Sequence, residues 1–323
     1  MLNSLIKAGL RFCKTIKLRL TKAYQSKHSV IIGVGSPFAG GSGKTEVAYH
    51  VYKILEQVNP LLLLRGYKGQ KSGPTLVEEN VDDAFSVGDE AYMLALRGVR
   101  VAVCKNKTQG VKFFEKNYPV IVIDDAFQHL GLVCDIYVMT LPVENQLELA
   151  DAQLERFFPC GPLRDFFSDC VRKSDLIVLV DRNGLGNTVH TLDVKKPVFY
   201  SYYENKIILP EKAVLVTGIA RPEAILSFLK QAGVNVDKHY RFRDHYFFSQ
   251  SEIKHLEECT HAPLITTEKD WVKIKPFASP NKWIILSPRL VFDKNQNFDE
   301  HLTLRVYALL ETKNYSSNHQ IKD

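Results

Sequence analysis

Residues 29–45 read SVIIGVGSPFAGGSGKT, and this stretch decides the fold. Residues 29–34 form a short β-branched run that predicts a buried strand, and residues 46–57 predict a helix. A strand, a glycine-rich turn and a helix in this order are the context of a phosphate-binding loop. Phe38 stands where the common pattern has its first glycine, so the stretch is closer to the x-G-G-x-G-K-S/T variant. A chance flexible turn is the alternative, but the position between strand and helix favours a nucleotide site.

The residues of this loop have distinct expected roles. The backbone N–H groups would face the phosphates, and the N-terminus of the helix adds positive potential. Lys44 would reach the β- and γ-phosphates, and the Thr45 hydroxyl would ligate Mg²⁺. The predicted nucleotide contacts in the loop are Gly40, Gly41, Ser42, Gly43, Lys44 and Thr45.

A second apolar run ends in two carboxylates. Residues 119–123 read PVIVI, and Asp124 and Asp125 follow directly. An apolar strand that ends in aspartate is typical of the magnesium-coordinating element of nucleotide hydrolases and kinases. Ligands bind at the carboxyl edge of a parallel sheet, so we predict both residues as nucleotide contacts, and Thr45 and Asp125 as the metal ligands. An aspartate pair that caps the following turn is the alternative.

Strand-like apolar runs alternate with helical stretches along the chain, which indicates an α/β fold with a mainly parallel sheet. We predict a P-loop kinase-like nucleotide-binding domain over residues 30–150 and a second, smaller α/β domain over residues 151–300. A basic helix over residues 1–29 precedes them. A C-terminal helix and polar tail over residues 301–323 follow, and the helix is expected to pack back on the first domain. The strand-like runs are 30–35, 61–64, 100–104, 120–123, 136–139, 176–180, 213–217, 263–266 and 283–286.

The charge of the chain is concentrated at its N-terminus. The 42 basic and 36 acidic side chains give a formal net charge of +6. Seven of the basic residues lie within residues 1–27, which contain no acidic residue, so the rest of the chain is nearly neutral. A neutral body argues against a broad nucleic-acid-binding face. With 45% apolar and 24% charged residues, a largely disordered or collagen-like chain is excluded.

The N-terminal segment alternates apolar and basic residues at roughly helical spacing. Such a helix can lie in a membrane interface with its cations near anionic head groups. It can equally pack on the protein's own core with its lysines in solvent; the lack of acidic residues favours the membrane. No apolar run is long enough to predict a membrane-spanning helix. The six cysteines have no CxxC spacing, which excludes a zinc knuckle and suits a reducing cytosol.

Several motifs in order resemble those of the tetraacyldisaccharide 4′-kinases, the lipid A 4′-kinase family of Gram-negative envelope synthesis. The phosphate loop alone is unspecific, but the ordered combination is hard to obtain by chance. The resemblance covers residues 30–275. Its motifs are GGSGKT (40–45), RGY (65–67), GDE (88–90), DDAFQH (124–129), PCGPLRD (159–165), TGI (217–219) with Pro222, DH (244–245) and TEKD (267–270).

The resemblance implies transfer of the γ-phosphoryl group of ATP to the 4′-hydroxyl of a tetraacyldisaccharide 1-phosphate, with Mg²⁺. It implies a peripheral enzyme at the cytoplasmic face of the inner membrane, and we expect a monomer with no nucleic-acid partner. Lys44, Asp89 and His245 match the catalytic positions, and Asp124 and Asp125 the acidic pair near metal and nucleotide. The matches to substrate-binding positions are Tyr67, Gln128, His129, Arg164 and Asp165.

The chemistry of the reaction gives Asp89 and His245 their expected roles. A sugar hydroxyl is a poor nucleophile, so a nearby base assists its attack. We interpret Asp89 as that base and His245 as the residue that orients or tunes it. The alternative for Gly88-Asp89-Glu90 is a simple helix start with acids in its first turn.

This chain departs from the family pattern at several positions. Gly131 and Cys134 stand where arginines are expected, which puts the acyl pattern and head group of the substrate in doubt. The other departures are Ala126 for Gly, Ser36 for Asn, Glu46 for Pro and Asp165 for Glu.

Two other readings remain open. A GGxGKT-class switch or metal-insertion NTPase would bind nucleotide without a lipid acceptor, and residues 267–270 loosely mimic a guanine-reading motif. A non-enzymatic membrane-surface module would leave Lys44, Asp89 and Asp124 unexplained.

Overall fold

Two sheets organise the part of the chain that the computed structural model describes, residues 2–143, 146–181, 194–204 and 207–313. The strands are β1 Tyr24–Gln25, β2 Val30–Gly35, β3 Leu61–Leu64, β4 Thr75–Leu76, β5 Val101–Val103, β6 Val120–Ile123, β7 Leu132–Val133, β8 Ile136–Pro142, β9 Leu176–Asp181, β10 Val198–Glu204, β11 Lys212–Thr217, β12 Asn235–Arg241, β13 Leu264–Thr267, β14 Trp283–Leu286 and β15 Arg289–Phe292. The helices are α1 Leu2–Leu20, α2 Lys44–Ile54, α3 Ala84–Val87, α4 Asp89–Leu96, α5 Lys107–Phe114, α6 Gln146–Gln153, α7 Phe167–Lys173, α8 Pro222–Gln231, α9 Gln250–Cys259, α10 Glu268–Ile274 and α11 Phe298–Thr312.

The larger sheet contains the phosphate-loop strand at its centre. Its order in the described residues is β15-β10-β9-β8-β2-β6-β3-β5-β4, and only the two outer strands, β15 and β4, pair antiparallel. Every residue of β2 is buried, because helices cover both faces of the sheet. Val30, Ile32 and Val34 pack into the core on one face, and Ile31 packs into the core on the other. The predicted α/β fold with a mainly parallel sheet is confirmed.

The smaller sheet has the order β12-β11-β13-β14, with all its pairs parallel. The predicted division at residue 150 does not separate the two sheets, because β9, β10 and β15 complete the larger one. From β2 the chain adds strands first on one side, through β3, β5 and β6, and then on the other, through β8 to β10. This reversal beside β2 is the topological switch point at which α/β proteins bind ligands.

The C-terminal helix α11 packs on the larger sheet, as expected. Phe298, Leu302 and Val306 are buried in the core that also contains α2. At the end of the helix, Lys313 Nζ lies 2.7 Å from a carboxylate oxygen of Asp135 and donates to two backbone carbonyls before β2. The predicted polar tail after residue 313 lies outside the described residues.

The N-terminal helix α1 turns its basic face toward the body of the protein. Three of its cations pair with carboxylates of residues 155–169: Lys7 with Glu155 at 2.6 Å, Arg11 with Asp169 at 3.0 Å and Lys14 with Asp165 at 2.7 Å. The opposite face is an apolar stripe that is exposed, formed by Leu2, Leu5, Phe12, Ile16 and Leu20. In the described part of the chain, none of the helices has the length and hydropathy to span a bilayer.

Candidate active site

The chain forms two sheet units, one built on the larger sheet and one on the smaller. A cavity of about 660 Å³ lies between them, lined by residues at and after the carboxyl ends of strands from both sheets. The phosphate loop and the acidic residues after β6 line one side of it. The turn after β11, His245 and the start of α10 line the other. The sequence motifs that are farthest apart along the chain therefore meet across one cleft.

The phosphate loop enters α2 through a residue that must be glycine. Gly43 has a φ of +74°, and a Cβ there would lie 2.8 Å from Val180. Lys44 Nζ lies 3.3 Å from Ser42 Oγ and 3.9 Å from Asp125 Oδ1. Burial lowers the pKa of Lys44, and the Asp125 carboxylate partly offsets this. The carboxylates nearby compensate the buried ammonium group only in part, and a bound phosphate would add the negative charge that stabilises it further.

The first aspartate after β6 contacts the phosphate-loop threonine. Thr45 Oγ1 donates to Asp124 Oδ2 at 3.0 Å, and Asp124 Oδ1 is buried with no hydrogen-bond partner among the described residues. Burial raises the pKa of Asp124 to about 6. A hydroxyl beside a buried carboxylate with an unused oxygen fits Mg²⁺, which takes one or two carboxylates plus substrate phosphates and water. Among the described residues, no cluster of three or more His, Cys, Asp or Glu side chains is arranged to hold a metal ion.

The second aspartate is held by an arginine instead. Asp125 accepts from both terminal nitrogens of Arg164, one of them at 3.1 Å. Its φ of +59° is unusual for a residue with a side chain, and such conformations are concentrated at functional sites. Asp125, predicted with Thr45 as a metal ligand, does not contact Thr45; its neighbour Asp124 does. Arg164, predicted at the lipid site, lies in the cleft wall beside the acidic pair.

Asp89 and His245 form a hydrogen-bonded dyad across the two sheet units. His245 Nδ1 lies 2.7 Å from Asp89 Oδ2. Gly88, before Asp89, has a φ of +91°, and a Cβ there would lie 2.6 Å from the carbonyl oxygen of Tyr67. His245 also has a positive φ, +58°, and its N–H donates to the Gly218 carbonyl at 2.9 Å. A left-handed backbone conformation therefore occurs directly before Asp89, at Gly88, and at His245 itself.

The environment of the dyad keeps the carboxylate ionised. Burial would raise the pKa of Asp89, but the His245 hydrogen bond and the nearby charges of Lys269 and Lys273 outweigh it and lower this pKa. The other ring nitrogen, His245 Nε2, lies 3.5 Å from Lys269 Nζ, and both of these side chains line the cavity. Because an ionised carboxylate can only accept, Nδ1 carries the proton donated to Asp89, whereas Nε2 lies between Lys269 Nζ and Asp244 Oδ2, which is 3.6 Å away.

The remaining predicted residues divide between the cleft and its surroundings. Tyr67 lines the cavity, with its ring centroid 5.0 Å from that of His245. Gln128 instead donates to the Ser36 carbonyl at 3.0 Å, and His129 pairs with the Thr108 hydroxyl at 2.9 Å. Neither lies in the cavity wall. Asp165 accepts from Lys14 of α1 and from the Phe166 N–H, so it anchors the N-terminal helix.

Several charged groups at the site are absent from the sequence prediction, and three of them have clear structural roles. Lys107 is buried and donates to the Asp124 carbonyl. Lys273 is buried beside Asp89, and its position one turn after the TEKD motif was the available signal. Arg97 joins the two sheet units by pairing with Glu46 of α2 at 2.9 Å and Glu268 of α10 at 2.7 Å. Glu46 is one of the departures from the family pattern, and this ion pair gives it a structural role.

A phosphate loop with a threonine–aspartate pair at the switch point of a parallel sheet, facing a buried acid–base dyad, defines a P-loop phosphotransferase. The family model described as tetraacyldisaccharide-1-P 4′-kinase matches residues 4–307 of the chain. The chain belongs to this family, so it is a kinase of lipid A biosynthesis. The resemblance drawn from the sequence motifs is confirmed.

Relatives agree with this assignment, and a solved structure agrees with the fold. The tetraacyldisaccharide 4′-kinase of Mannheimia succiniciproducens is 30% identical over 299 residues, 89% of this chain and 88% of that protein. That of Paramagnetospirillum magneticum is 31% identical over 270 residues, 80% of this chain and 81% of that protein. The crystal structure of LpxK from Aquifex aeolicus in complex with ATP has a TM-score of 0.75 at 22% identity, covering 95% of this chain and 98% of that one. It shares the fold.

Proposed function

We propose that the chain transfers the γ-phosphoryl group of ATP to the 4′-hydroxyl of a tetraacyldisaccharide 1-phosphate, with the Asp89–His245 dyad as the base. The observation that carries this proposal is the 2.7 Å contact between these residues, in the same cleft as Lys44 and Thr45. A hydrolase would need only to position water, whereas a buried base opposite the phosphate loop suits a hydroxyl acceptor.

The phosphate side of the cleft binds and orients the nucleotide. Lys44 and the loop N–H groups contact the β- and γ-phosphates. Thr45 and Asp124 would hold Mg²⁺, which would neutralise charge on these phosphates. Asp125 keeps Arg164 beside the transferred group, where its guanidinium stabilises charge that develops on the equatorial oxygens.

The other side supplies the base. As the 4′-oxygen forms its bond to the γ-phosphorus and the bond to the ADP oxygen breaks, the hydroxyl proton passes to His245 Nε2. Asp89 binds Nδ1–H and stabilises the imidazolium that results. This order reverses the roles interpreted from the sequence. It is favoured because His245 lines the cavity, whereas Asp89 is 3% exposed behind it.

The N-terminal helix is proposed to hold the enzyme at the cytoplasmic face of the inner membrane as a peripheral protein. Its apolar stripe faces away from the body, and Lys17 and Arg19 remain exposed beside it for anionic head groups. Replacing Phe12 and Ile16 by serine should reduce sedimentation with anionic vesicles about tenfold or more, since two large apolar side chains are removed. Thr15→Ser on the same helix is the control, and unchanged sedimentation of the double variant would contradict the assignment.

The direct test of the activity is transfer of labelled γ-phosphate from ATP to tetraacyldisaccharide 1-phosphate in detergent micelles. A labelled lipid is expected with the wild type and none with Lys44→Ala. Nucleotide hydrolysis without transfer would support the switch-type NTPase. The guanine-reading mimic does not favour that alternative, because Asp270 is fully buried and binds the Gly218 N–H and Thr267 hydroxyl.

A further inference from the structure

The ammonium group of Lys273 is buried between two carboxylates. Its Nζ lies 2.9 Å from Asp270 Oδ1 and 3.5 Å from Asp89 Oδ2. The side chains of Lys273 and Asp270 are fully buried, and that of Asp89 is 3% exposed. Unpaired charges at such depth are costly, so the lysine compensates both carboxylates at once.

These contacts belong to a closed ring that also contains the catalytic histidine. Asp270 Oδ2 accepts the Gly218 N–H at 2.9 Å, and the Gly218 carbonyl accepts the His245 N–H at 2.9 Å. His245 then binds Asp89, and Asp89 contacts Lys273. The same turn after β11 is thus tied to the backbone of His245 and, through Asp270 and Lys273, to the carboxylate that binds its side chain.

The Asp89 carboxylate is fixed in its plane by this arrangement. Oδ1 accepts the Glu90 N–H at 2.9 Å, and Oδ2 contacts both His245 and Lys273. Without Lys273, Oδ2 would lose one of two partners, and the side chain could rotate away from the imidazole. A misplacement of about 1 Å at such a contact is enough to reduce turnover strongly.

We propose that Lys273 is a positioning residue for phosphoryl transfer, which closes this ring and holds Asp89 in the orientation that binds His245 Nδ1. The inference rests on the proposed function, in which the dyad is the base. Lys273 is not part of the cavity wall, so its effect passes through Asp89 rather than through substrate.

The test compares Lys273→Met with Lys275→Met, which removes the same charge from an exposed position two residues further on. For Lys273→Met, kcat should fall about tenfold or more while KM for ATP stays within about twofold, because the phosphate side is untouched. The acid limb of the kcat–pH profile, which reports the protonation of the Asp89–His245 dyad as a unit, should move upward by about one pH unit. Asp89 faces His245, Lys269 and Lys273, with Glu90 and Asp270 adjacent, and this variant removes one of the cations that favour its ionised form. Lys273→Arg should restore the limb.

A second variant separates positioning from folding. Lys273→Met with Asp270→Asn removes the uncompensated carboxylate, so its Tm should recover while the acid limb stays displaced. Wild-type kcat and acid limb in Lys273→Met, or a wild-type limb in a refolded double variant, would overturn the proposal. Asp89→Asn and His245→Gln are measured alongside: wild-type turnover in these variants would instead overturn the assignment of the dyad as base.

Discussion

The two sides of the cleft are built in different ways. The phosphate side comes from one continuous segment, residues 40–45, and from the two aspartates that follow β6. The strands that precede these two segments, β2 and β6, are neighbours in the larger sheet. The base side joins Asp89 and His245, which are 156 residues apart and belong to different sheet units. The first site is specified by local backbone geometry, and the second depends on the correct packing of the two units.

The electrostatics of the two sides differ in the same way. On the phosphate side, Lys44 Nζ lies 3.9 Å from Asp125 Oδ1, a separation that leaves its ammonium group available to a nucleotide phosphate. On the base side, Asp89 and Asp270 are satisfied by protein groups alone. A site that binds a charged ligand can leave its own charged groups without close protein partners until the ligand binds. A base, by contrast, must be held in its reactive orientation before the substrate binds.

The largest expected effect is the loss of both activities after a substitution on the phosphate side. Lys44→Ala should reduce both transfer and nucleotide hydrolysis to background, because the phosphates lose their main buried cation. Turnover is measured with labelled ATP, and binding with a fluorescent nucleotide. Transfer near the wild-type rate in this variant would mean that the phosphate side is not where the nucleotide reacts.

A base-side variant should lose transfer but keep the nucleotide. Asp89→Asn removes the charge that stabilises the imidazolium of His245, so kcat for transfer should fall by about 10²–10⁴. The Kd for ATP should stay within about twofold, since residues 40–45 are unaffected. A loss of ATP affinity as large as the loss of kcat would show that the two sides are not separable.

A smaller effect concerns pH on the phosphate side. Since burial raises the pKa of Asp124 from 3.8 to about 6, the folded protein retains this proton where the unfolded chain has lost it. This group therefore reduces stability as pH rises from 3.8 to about 6, the opposite sign to Asp89, whose lowered pKa adds stability above its unfolded value.

In the proposed site Mg²⁺ binds to the ionised Asp124 carboxylate, so binding of Mg²⁺ with nucleotide should release a fraction of a proton near pH 6 and almost none at about pH 8. Calorimetry in buffers with different ionisation enthalpies measures this release. Asp124→Asn should abolish it, and Asp89→Asn, on the base side, should not. Equal proton release in wild type and Asp124→Asn would contradict the assignment of this carboxyl.

Much of this architecture could be predicted from the sequence. The buried strands β2, β3 and β6 have the predicted bounds, because continuous apolar runs identify strands covered on both faces. The bounds of β14, a half-buried edge strand with an apolar sequence, also agree. The prediction missed the two-residue strands β1, β4 and β7 and the longer strands β10, β12 and β15. The longer ones lie at or next to sheet edges, where alternating or polar residues conceal them. The predicted division at residue 150 falls inside the larger sheet, since β9, β10 and β15, which follow that residue, all belong to it.

The site shows the same limit. The motifs identified the members of the dyad, since each lies in one of the short motifs that carry the family resemblance, GDE or DH. They did not show that Asp124 rather than Asp125 meets Thr45, because the positive φ of Asp125 turns its side chain toward Arg164. Nor did they show that Lys273 closes the ring around Asp89, because that contact joins positions 184 residues apart.

The smallest expected effect tests whether α1 supports only the phosphate side of the cleft. Lys14 contacts Asp165 at 2.7 Å and Asp169 at 3.1 Å, and Arg164, next to Asp165, holds Asp125 on the phosphate side. Lys14→Met should loosen this support at a cost of about 1 kcal/mol, because the pair is only partly buried, and raise KM for ATP about fivefold or less.

The exposed Lys17→Met on the same helix is the matched control, and both variants are assayed in micelles so that membrane attachment does not limit the rate. The acid limb of the kcat profile should be unchanged in both, because no part of α1 contacts Asp89 or His245 among the described contacts. A displaced limb in Lys14→Met would show that the helix also acts on the base side. The cleft would then respond as one unit, although its two sides are encoded so differently.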